Sequence, residues 1–404
     1  MKLDRFKLFS LLFFSLLFYY LSLATPAAVL AREASFYQKE LNPAMFRVLF
    51  EMQEFNRSGE YQKGLQSFEE FTRSRKKESP VLLNFFAANL NFQLARYSES
   101  VKLYQQVVAK APGFDAVYEN LGMALMMTED YKSAAEILLK AAILLPEKQE
   151  KQEKLKYQAA IACLYGEDFG KARSLLHELM ASNPTPPAEW FKALIQVHWR
   201  LAETRAALKI CARLVDSYPV VIAHWRLYGQ IALAAEEYQT ALSAYKVLQA
   251  DGSITVKERK LIARIYQQLQ LPGDAAFVWE GVFAETEPSR QELETLVVLY
   301  RQSGQVDKSL KTLDRLQKLD PDKDTAFRRG KIYYHAGRYR KAYEVFTKLE
   351  TIADEDGYQH LLAGYCAWNE NDFSAAATSW NKAANYPAWQ ERALNLLRTL
   401  KPWL

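Results

Sequence analysis

The sequence predicts an all-α solenoid made of about ten helix–turn–helix repeats and closed by one further helix. Small side chains recur at a spacing of about 34 residues, and short polar segments lie midway between apolar-periodic stretches. Glycine and proline are sparse, with 15 and 14 residues in a chain of 404. This composition argues against a turn-rich all-β protein.

A single recurring small residue marks the repeats. It returns nine times in succession, each time after roughly 33 to 38 residues. Such regularity is typical of stacked repeats, because one helix pair cannot bury its own apolar face. The ten residues are Gly64, Ser100, Ala134, Ala172, Ala207, Ala241, Ala275, Ser309, Ala342 and Ala376.

The repeat at 115–148 shows why these residue types recur. Small residues at Gly122 and Ala134 allow two helices to approach closely, and Leu138 fills the space beside them. Polar stretches such as "TED" and "AGR" predict the turns within repeats. Where the spacing is longer than usual, "RSRKKE", "EKQEKQ" and "NPTPP" predict longer loops between repeats. Four prolines are expected to end second helices: Pro146, Pro184, Pro219 and Pro321.

This pattern resembles the tetratricopeptide repeat family, whose unit is a helix–turn–helix of about 34 residues. The resemblance covers residues 45–390 and implies a right-handed superhelix. The repeats that begin near 256 and 45 depart most from the pattern: Pro272 replaces an aromatic residue in one, and Met52 replaces a small residue in the other. The best match is at Tyr118, Leu121, Gly122, Leu125, Tyr131, Ala134, Leu138, Ala141 and Pro146.

The two ends of the chain lie outside this array. Three cations precede an apolar run over 8–23, and "TPAAVLA" follows it, which predicts a signal peptide at 1–31 and a periplasmic location. An uncleaved anchor in the inner membrane is the alternative, although this run is slightly short for a spanning helix of about 20 residues. Residues 32–44 form a lead-in, and 388–404 predict a capping helix and tail.

Neither the net charge nor the motifs of the chain indicate nucleic-acid binding, a phosphate or metal site, or catalysis. A formal charge of +5 is too low for a nucleic-acid-binding face. "GEDFGKA" lacks the spacing and the hydroxyl residue of a phosphate-binding loop, and the five histidines have no metal-ligand spacing. We therefore expect neither an enzyme nor a cofactor. Cys163, Cys211 and Cys366 are expected to be buried thiols, with a Cys163–Cys211 disulfide as the alternative.

The resemblance implies that the first helix of each repeat lines a concave groove that takes a protein or peptide. The implied lining is basic in the middle and aromatic or methionine-rich on both sides, which would suit apolar anchors around an acidic segment. Asn89 matches one residue of the family's carboxylate-binding set, but the set is incomplete. The candidate contact residues are Phe85, Phe92, Met123, Met126, Tyr157, Trp199, Arg200, Arg226, Lys260, Arg264, Tyr334 and Trp368.

The resulting hypothesis is a non-enzymatic scaffold or adaptor of the cell envelope, which binds a protein or peptide and no nucleic acid. Analogy at the level of fold suggests an accessory role in a TonB-type transport or envelope-assembly system. The alternative is a polysaccharide- or peptidoglycan-binding module that uses Trp199, Tyr365 and Trp368 as sugar platforms.

Overall fold

A computed structural model describes residues 41–73, 79–144, 149–319, 324–349 and 357–403. The predicted signal peptide, most of the lead-in, Pro146 and Pro321 lie outside the described residues. Within the described ranges the regular structure is entirely helical, with twenty-one α-helices and one terminal 3₁₀ turn, Lys401–Trp403. The prediction of an all-α chain of helix–turn–helix repeats is confirmed.

The helices form ten consecutive pairs and a closing helix over the described residues. The odd-numbered helices α1–α19 are the first helices of the pairs, and the even-numbered helices are the second. The bounds are α1 Pro43–Ser58, α2 Tyr61–Arg73, α3 Val81–Gln93, α4 Tyr97–Lys110, α5 Asp115–Met127, α6 Tyr131–Ile143, α7 Gln149–Tyr165, α8 Phe169–Ser182, α9 Ala188–Arg200, α10 Thr204–Ser217, α11 Ile222–Ala234, α12 Tyr238–Asp251, α13 Val256–Gln268, α14 Pro272–Phe283, α15 Arg290–Gln302, α16 Val306–Leu319, α17 Asp324–His335, α18 Tyr339–Lys348, α19 Tyr358–Asn369, α20 Phe373–Ala383 and α21 Gln390–Leu400.

The chain divides into two compact units between Ser217 and Tyr218. The N-terminal unit holds α1–α10, and the C-terminal unit holds α11–α21. Within each unit every helix packs against the next one in sequence. In the N-terminal unit, α3 also contacts α1 and α5, and α7 contacts α9, so first helices of neighbouring repeats lie side by side.

Close approach within a pair depends on the recurring small residues, as predicted. Ala134, Ala241 and Ala376 are completely buried. Where serine replaces alanine, its hydroxyl finds a partner on the facing helix: Ser100 Oγ donates to the Ala88 carbonyl and Ser309 Oγ to the Val297 carbonyl, both at 2.9 Å. The repeat can therefore accept serine at this position without leaving a buried hydroxyl unsatisfied.

The first helix contributes a matching small residue. A Cβ atom added to Gly122 would lie 2.5 Å from Leu138 Cγ, inside van der Waals contact. In three other repeats the glycine likewise faces a large side chain on the second helix of its own pair: Gly229 faces Tyr245, Gly330 faces Phe346 and Gly364 faces Trp380. Glycine and the facing large residue thus form one packing unit.

A residue with positive φ lies in the turn of every repeat over the described ranges. Only three of these ten residues are glycines. At Glu129 the following amide, of Asp130, donates to the Leu125 carbonyl at 3.0 Å, which caps the preceding helix. The ten residues are Gly59, Ala95, Glu129, Glu167, Ala202, Glu236, Gln270, Gly304, Gly337 and Asn371.

One predicted loop is wrong. Residues 149–152 of "EKQEKQ" belong to α7, which runs for 17 residues. Gln, Glu and Lys are strong helix formers, and Gln149 Nε2 donates to a Glu153 carboxylate oxygen at 3.1 Å. The surplus residues of this repeat therefore lengthen a helix. As expected, α8 and α10 end shortly before Pro184 and Pro219.

The last helix closes the C-terminal unit. Ala393 and Leu400 of α21 are buried in a cluster with Ala376 and Trp380 of the last repeat. The Tyr358 and Trp389 rings stack at 4.7 Å between centroids beside this cluster. The closing helix thus covers the apolar side of α20, as a terminal cap of a repeat array must.

Candidate binding surface

The inner face is defined here as the solvent-accessible side of the first helices, α1–α19. This is the face on which the family resemblance places the candidate contact residues. Because the two compact units are separate bodies, the inner face of each is described by itself.

A methionine strip dominates the inner face of the N-terminal unit. It consists of Phe92, Met123, Met126, Met127 and Tyr165, all half-buried and all on α3, α5 or α7. The Phe92 ring contacts Tyr97, and the Tyr165 ring contacts Tyr131 at 5.9 Å. Each of the five side chains is therefore partly covered within the unit and partly exposed to solvent.

Polar residues border the methionine strip. Asn89 Oδ1 accepts hydrogen bonds from Asn120 Nδ2 at 3.0 Å and from the Tyr104 hydroxyl at 2.5 Å. Glu119 accepts a hydrogen bond from Lys154 Nζ at 2.9 Å. Sequence reasoning missed Asn120, because an asparagine on a helix surface carries no signal until its neighbour is known. The Asn89 carbonyl is thus occupied within the unit.

Two candidate contact residues are buried, contrary to expectation. Phe85 is 1% exposed, and its ring lies 4.9 Å from the Phe114 ring. Tyr157 is 2% exposed and stacks on Trp190. Both side chains fill the gap to the next repeat, so neither lines a binding surface.

At the end of this unit, Arg200 is exposed but already partnered. Its Nη2 donates to Glu167 Oε1 at 2.6 Å, and its guanidinium lies 5.1 Å from the centre of the Phe169 ring. Trp199 beside it is half-buried. Ion pairs of this exposure add little stability, but they lower the positive charge offered to a ligand.

In the C-terminal unit a ladder of ion pairs joins successive first helices. Arg226 Nε donates to Glu258 at 2.6 Å, and Lys260 Nζ donates to Glu292 at 2.6 Å. Each glutamate also completes a capping box at the start of its helix, with Thr255 and Ser289 respectively. The predicted basic section is therefore largely neutralised at Arg226 and Lys260.

The glutamate pKa values reflect this pairing. Burial alone would raise the pKa of Glu258, but the hydrogen bonds from Arg226 and Thr255 outweigh it and hold that pKa below its usual range. The pKa of Glu292 is lowered against the effect of burial by hydrogen bonds from Lys260 and Ser289. Both carboxylates are charged at neutral pH, which is what the ion pairs require.

Two cations of the same face keep their charge. Lys257 and Arg264 on α13 are exposed, and no carboxylate of the described residues pairs with either. They lie two helical turns apart on one helix face, close to Lys260. α13 thus presents two exposed cations without a carboxylate partner among the described residues.

The aromatic residues of the last repeats are packed among themselves. Trp368 contacts the rings of Phe373 and Trp380 at 5.3 and 5.9 Å. The Tyr365 hydroxyl accepts a hydrogen bond from Arg392 Nε at 3.1 Å. Tyr334 is half-buried against Tyr339. These rings are therefore partly covered by one another and by α21.

No arrangement suited to catalysis or metal binding emerges from the described residues. They contain no group of three or more His, Cys, Asp or Glu side chains that could hold a metal ion. His198 Nδ1 lies 2.7 Å from a Glu203 carboxylate oxygen, and this contact lowers the pKa of that carboxyl. The imidazole itself is buried, with the His177 ring 6.0 Å away.

The three cysteines are buried free thiols, and no disulfide joins Cys163 to Cys211. Burial raises the pKa of Cys211 and of Cys366 to about 12. Neither thiol has the thiolate character of a reactive cysteine. None of the described helices is long and apolar enough to cross a bilayer.

A match to one family model supports the repeat assignment. A tetratricopeptide repeat family model matches residues 85–148, 192–253 and 295–358. No curated protein sequence matches the chain. A solved tetratricopeptide repeat protein from Parabacteroides merdae is 18% identical, with a TM-score of 0.33 over 62% of this chain and 98% of that chain.

Two further solved structures are similar. The C-terminal part of a repeat protein from Cytophaga hutchinsonii is 14% identical, with a TM-score of 0.48 over 61% of this chain and 99% of that one. PilW, a type IV pilus biogenesis factor, is 18% identical, with a TM-score of 0.38 over 53% and 96%. The recurring small residues, the ten helix pairs of the described ranges and the three matched regions together show that the chain contains tetratricopeptide repeats.

Proposed function

We propose that the chain is a non-enzymatic adaptor of the cell envelope, which holds a protein or peptide against its inner face. Members of the tetratricopeptide repeat family are typically scaffolds for protein interactions. The methionine strip carries the proposal, because half-exposed methionine and aromatic side chains on adjacent first helices form an adaptable apolar contact surface.

The partner is expected to combine an apolar anchor with an acidic segment. An apolar anchor suits the methionine strip within the N-terminal unit. An acidic segment suits Lys257 and Arg264 within the C-terminal unit, as a separate contact. Arg226 and Lys260 are less suited to this role, since each would have to give up a carboxylate partner first.

The envelope location is supported by the N-terminal sequence alone, with its cations, apolar run and small-residue end. Cell fractionation and N-terminal sequencing of the mature chain test this part. A mature N-terminus near residue 32 in the periplasmic fraction is expected. A cytoplasmic chain that begins at Met1 would contradict it.

Co-purification from the envelope, compared between matched variants, tests the binding surface. Met126→Glu should abolish recovery of the partner, whereas Lys102→Glu, an equally drastic change on the exposed side of α4, should not. Arg264→Glu should weaken recovery of the partner relative to the wild-type chain. The difference should be larger at low salt, because the charge of an exposed cation is screened as ionic strength rises.

A polysaccharide partner would give a different result. The glycan-binding alternative would be supported if the chain is retained on insoluble glycan at every salt concentration. This retention should persist in Met126→Glu and be lost in Trp368→Ala. Loss of partner recovery in both Met126→Glu and Lys102→Glu would refute binding at the inner face.

A further inference from the structure

The seventh repeat differs from the others on its second helix. The outer face is defined here as the exposed side of the second helices, α2–α20. The second residue after each recurring small residue is exposed on this face. In nine of the ten repeats this residue is polar. The ten residues are Gln66, Lys102, Glu136, Ser174, Lys209, Ser243, Phe277, Lys311, Glu344 and Thr378.

Phe277 on α14 is the exception. It is 75% exposed, and no ring contact joins it to another of the described residues. An aromatic side chain at a position that is otherwise polar has no role in the packing of its own repeat. Large aromatic residues of this kind are typical anchors of protein contacts.

Gly281, one turn further along α14, is equally unusual. At the corresponding position most other repeats have a charged residue or glutamine. A Cβ atom added to Gly281 would meet nothing within 4 Å, and its φ is not positive. By contrast, Gly122 and Gly364 each face a large side chain. Glycine destabilises a helix interior relative to alanine, so Gly281 brings no benefit to the described fold.

Phe277 and Gly281 together form a projection and a hollow on one helix face. Two α14 helices that cross antiparallel, with a two-fold axis between these residues, would place each Phe277 ring over the Gly281 of the other copy. Such an interface is isologous, since the same patch serves on both sides. Ala284, which is also exposed, extends the region of small residues by one turn.

One carboxylate beside the patch, that of Glu280, is already paired. Glu280, next to Gly281, accepts a hydrogen bond from Lys308 Nζ at 2.7 Å. Two copies of this carboxylate would therefore approach as parts of neutral pairs, with little mutual repulsion.

We propose that the chain self-associates through the outer face of α14, with Phe277 of one copy packed on Gly281 of the other. A contact centred on one helix is smaller than the roughly 1,200–2,000 Å² of stable interfaces. The dimer is therefore weak and forms as protein concentration rises. The contact uses a second helix, whereas the inner face belongs to the first helices.

Sedimentation velocity of the purified chain over a wide concentration range tests the proposal. The wild-type chain should shift from monomer to dimer, and Phe277→Lys and Gly281→Leu should each lower the association constant by about tenfold or more. Lys311→Ala, at the equivalent outer position of the next repeat, is the matched control and should dimerise like wild type. Circular dichroism of each variant checks that the fold is retained.

Gly281→Ala provides the sharpest readout. It should raise the melting temperature of the dilute chain, because alanine favours the helix, and yet weaken association, because a methyl group begins to fill the hollow. A wild-type chain that remains monomeric at every concentration overturns the proposal. So does association that Phe277→Lys and Gly281→Leu leave unchanged, or that Lys311→Ala weakens equally.

Discussion

Gly364→Ala should destabilise the last repeat, although alanine is the better helix former. Gly364 on α19 faces Trp380, which is 1% exposed and whose Nε1 donates to the Leu361 carbonyl at 3.2 Å. An alanine Cβ would overlap the indole Nε1 and Cδ1 atoms. The rigid, buried ring can relieve this overlap only by moving away from its hydrogen-bond partner.

The magnitude follows from opposing contributions. Overpacking a filled core costs about 1–3 kcal/mol, and loss of the indole hydrogen bond costs about 1 kcal/mol. Replacing a helix-interior glycine by alanine returns about 0.5–1 kcal/mol. We therefore expect a net loss of about 1–3.5 kcal/mol. Gly281→Ala, measured in dilute solution, is the control: it has the same gain in helix propensity and no overlap.

Unfolding of a repeat array is local rather than two-state, so hydrogen exchange of peptides from α19, α20 and α21 is the suitable assay. Gly364→Ala should speed exchange in these peptides and leave α11 and α12 unaffected. Protection equal to or above that of the wild-type chain would refute the packing role assigned to Gly364.

Three further predictions concern stability. Burial raises the pKa of the Cys211 and Cys366 thiols to about 12. Unfolded thiols ionise from about pH 9, so the folded chain should lose stability as pH rises from about 9 towards 12. Circular dichroism across this range would show the loss, and a stability that does not change with pH would contradict it. Glu258→Gln should cost about 1 kcal/mol, mainly through the charge-assisted hydrogen bond from Arg226, because glutamine can still accept the Thr255 amide bond of the capping box. It should also remove the stability that Glu258 contributes above its unfolded pKa and loses as pH falls through its lowered folded pKa; exchange rates at the start of α13 would report both effects. Glu236→Gly should stabilise its turn by about 0.5–1 kcal/mol, because Glu236 has a positive φ that glycine adopts without strain; a lower melting temperature would count against this.

Sequence reasoning predicted the architecture because small and large side chains recur at fixed positions in each repeat. Ala134, Ala241 and Ala376 are buried where the spacing places them, and even the aberrant Pro272 begins a helix, since proline suits the first helical position. The turns gave no comparable signal. Glu129 and Ala202 have positive φ, a conformation that their residue types do not indicate.

The candidate surface was harder to predict, because it depends on neighbours about one repeat away. Counting along the repeat pattern places Phe85 and Tyr157 on the inner face, yet the next repeat covers both side chains. Arg226 and Lys260 look like free cations in the sequence, but their partners lie on the first helix of the following repeat. A one-dimensional pattern identifies a helix face and leaves open which side chains the adjacent repeat covers or neutralises.

Photo-crosslinking in cells tests most directly whether the inner face is the binding surface. A photoreactive residue at position 126, in the methionine strip, is compared with one at position 102, on the exposed side of α4. We expect one discrete partner adduct from position 126 and none from position 102. Adducts from position 102 alone, or the same adducts from both positions, would contradict the assignment of binding to the first helices.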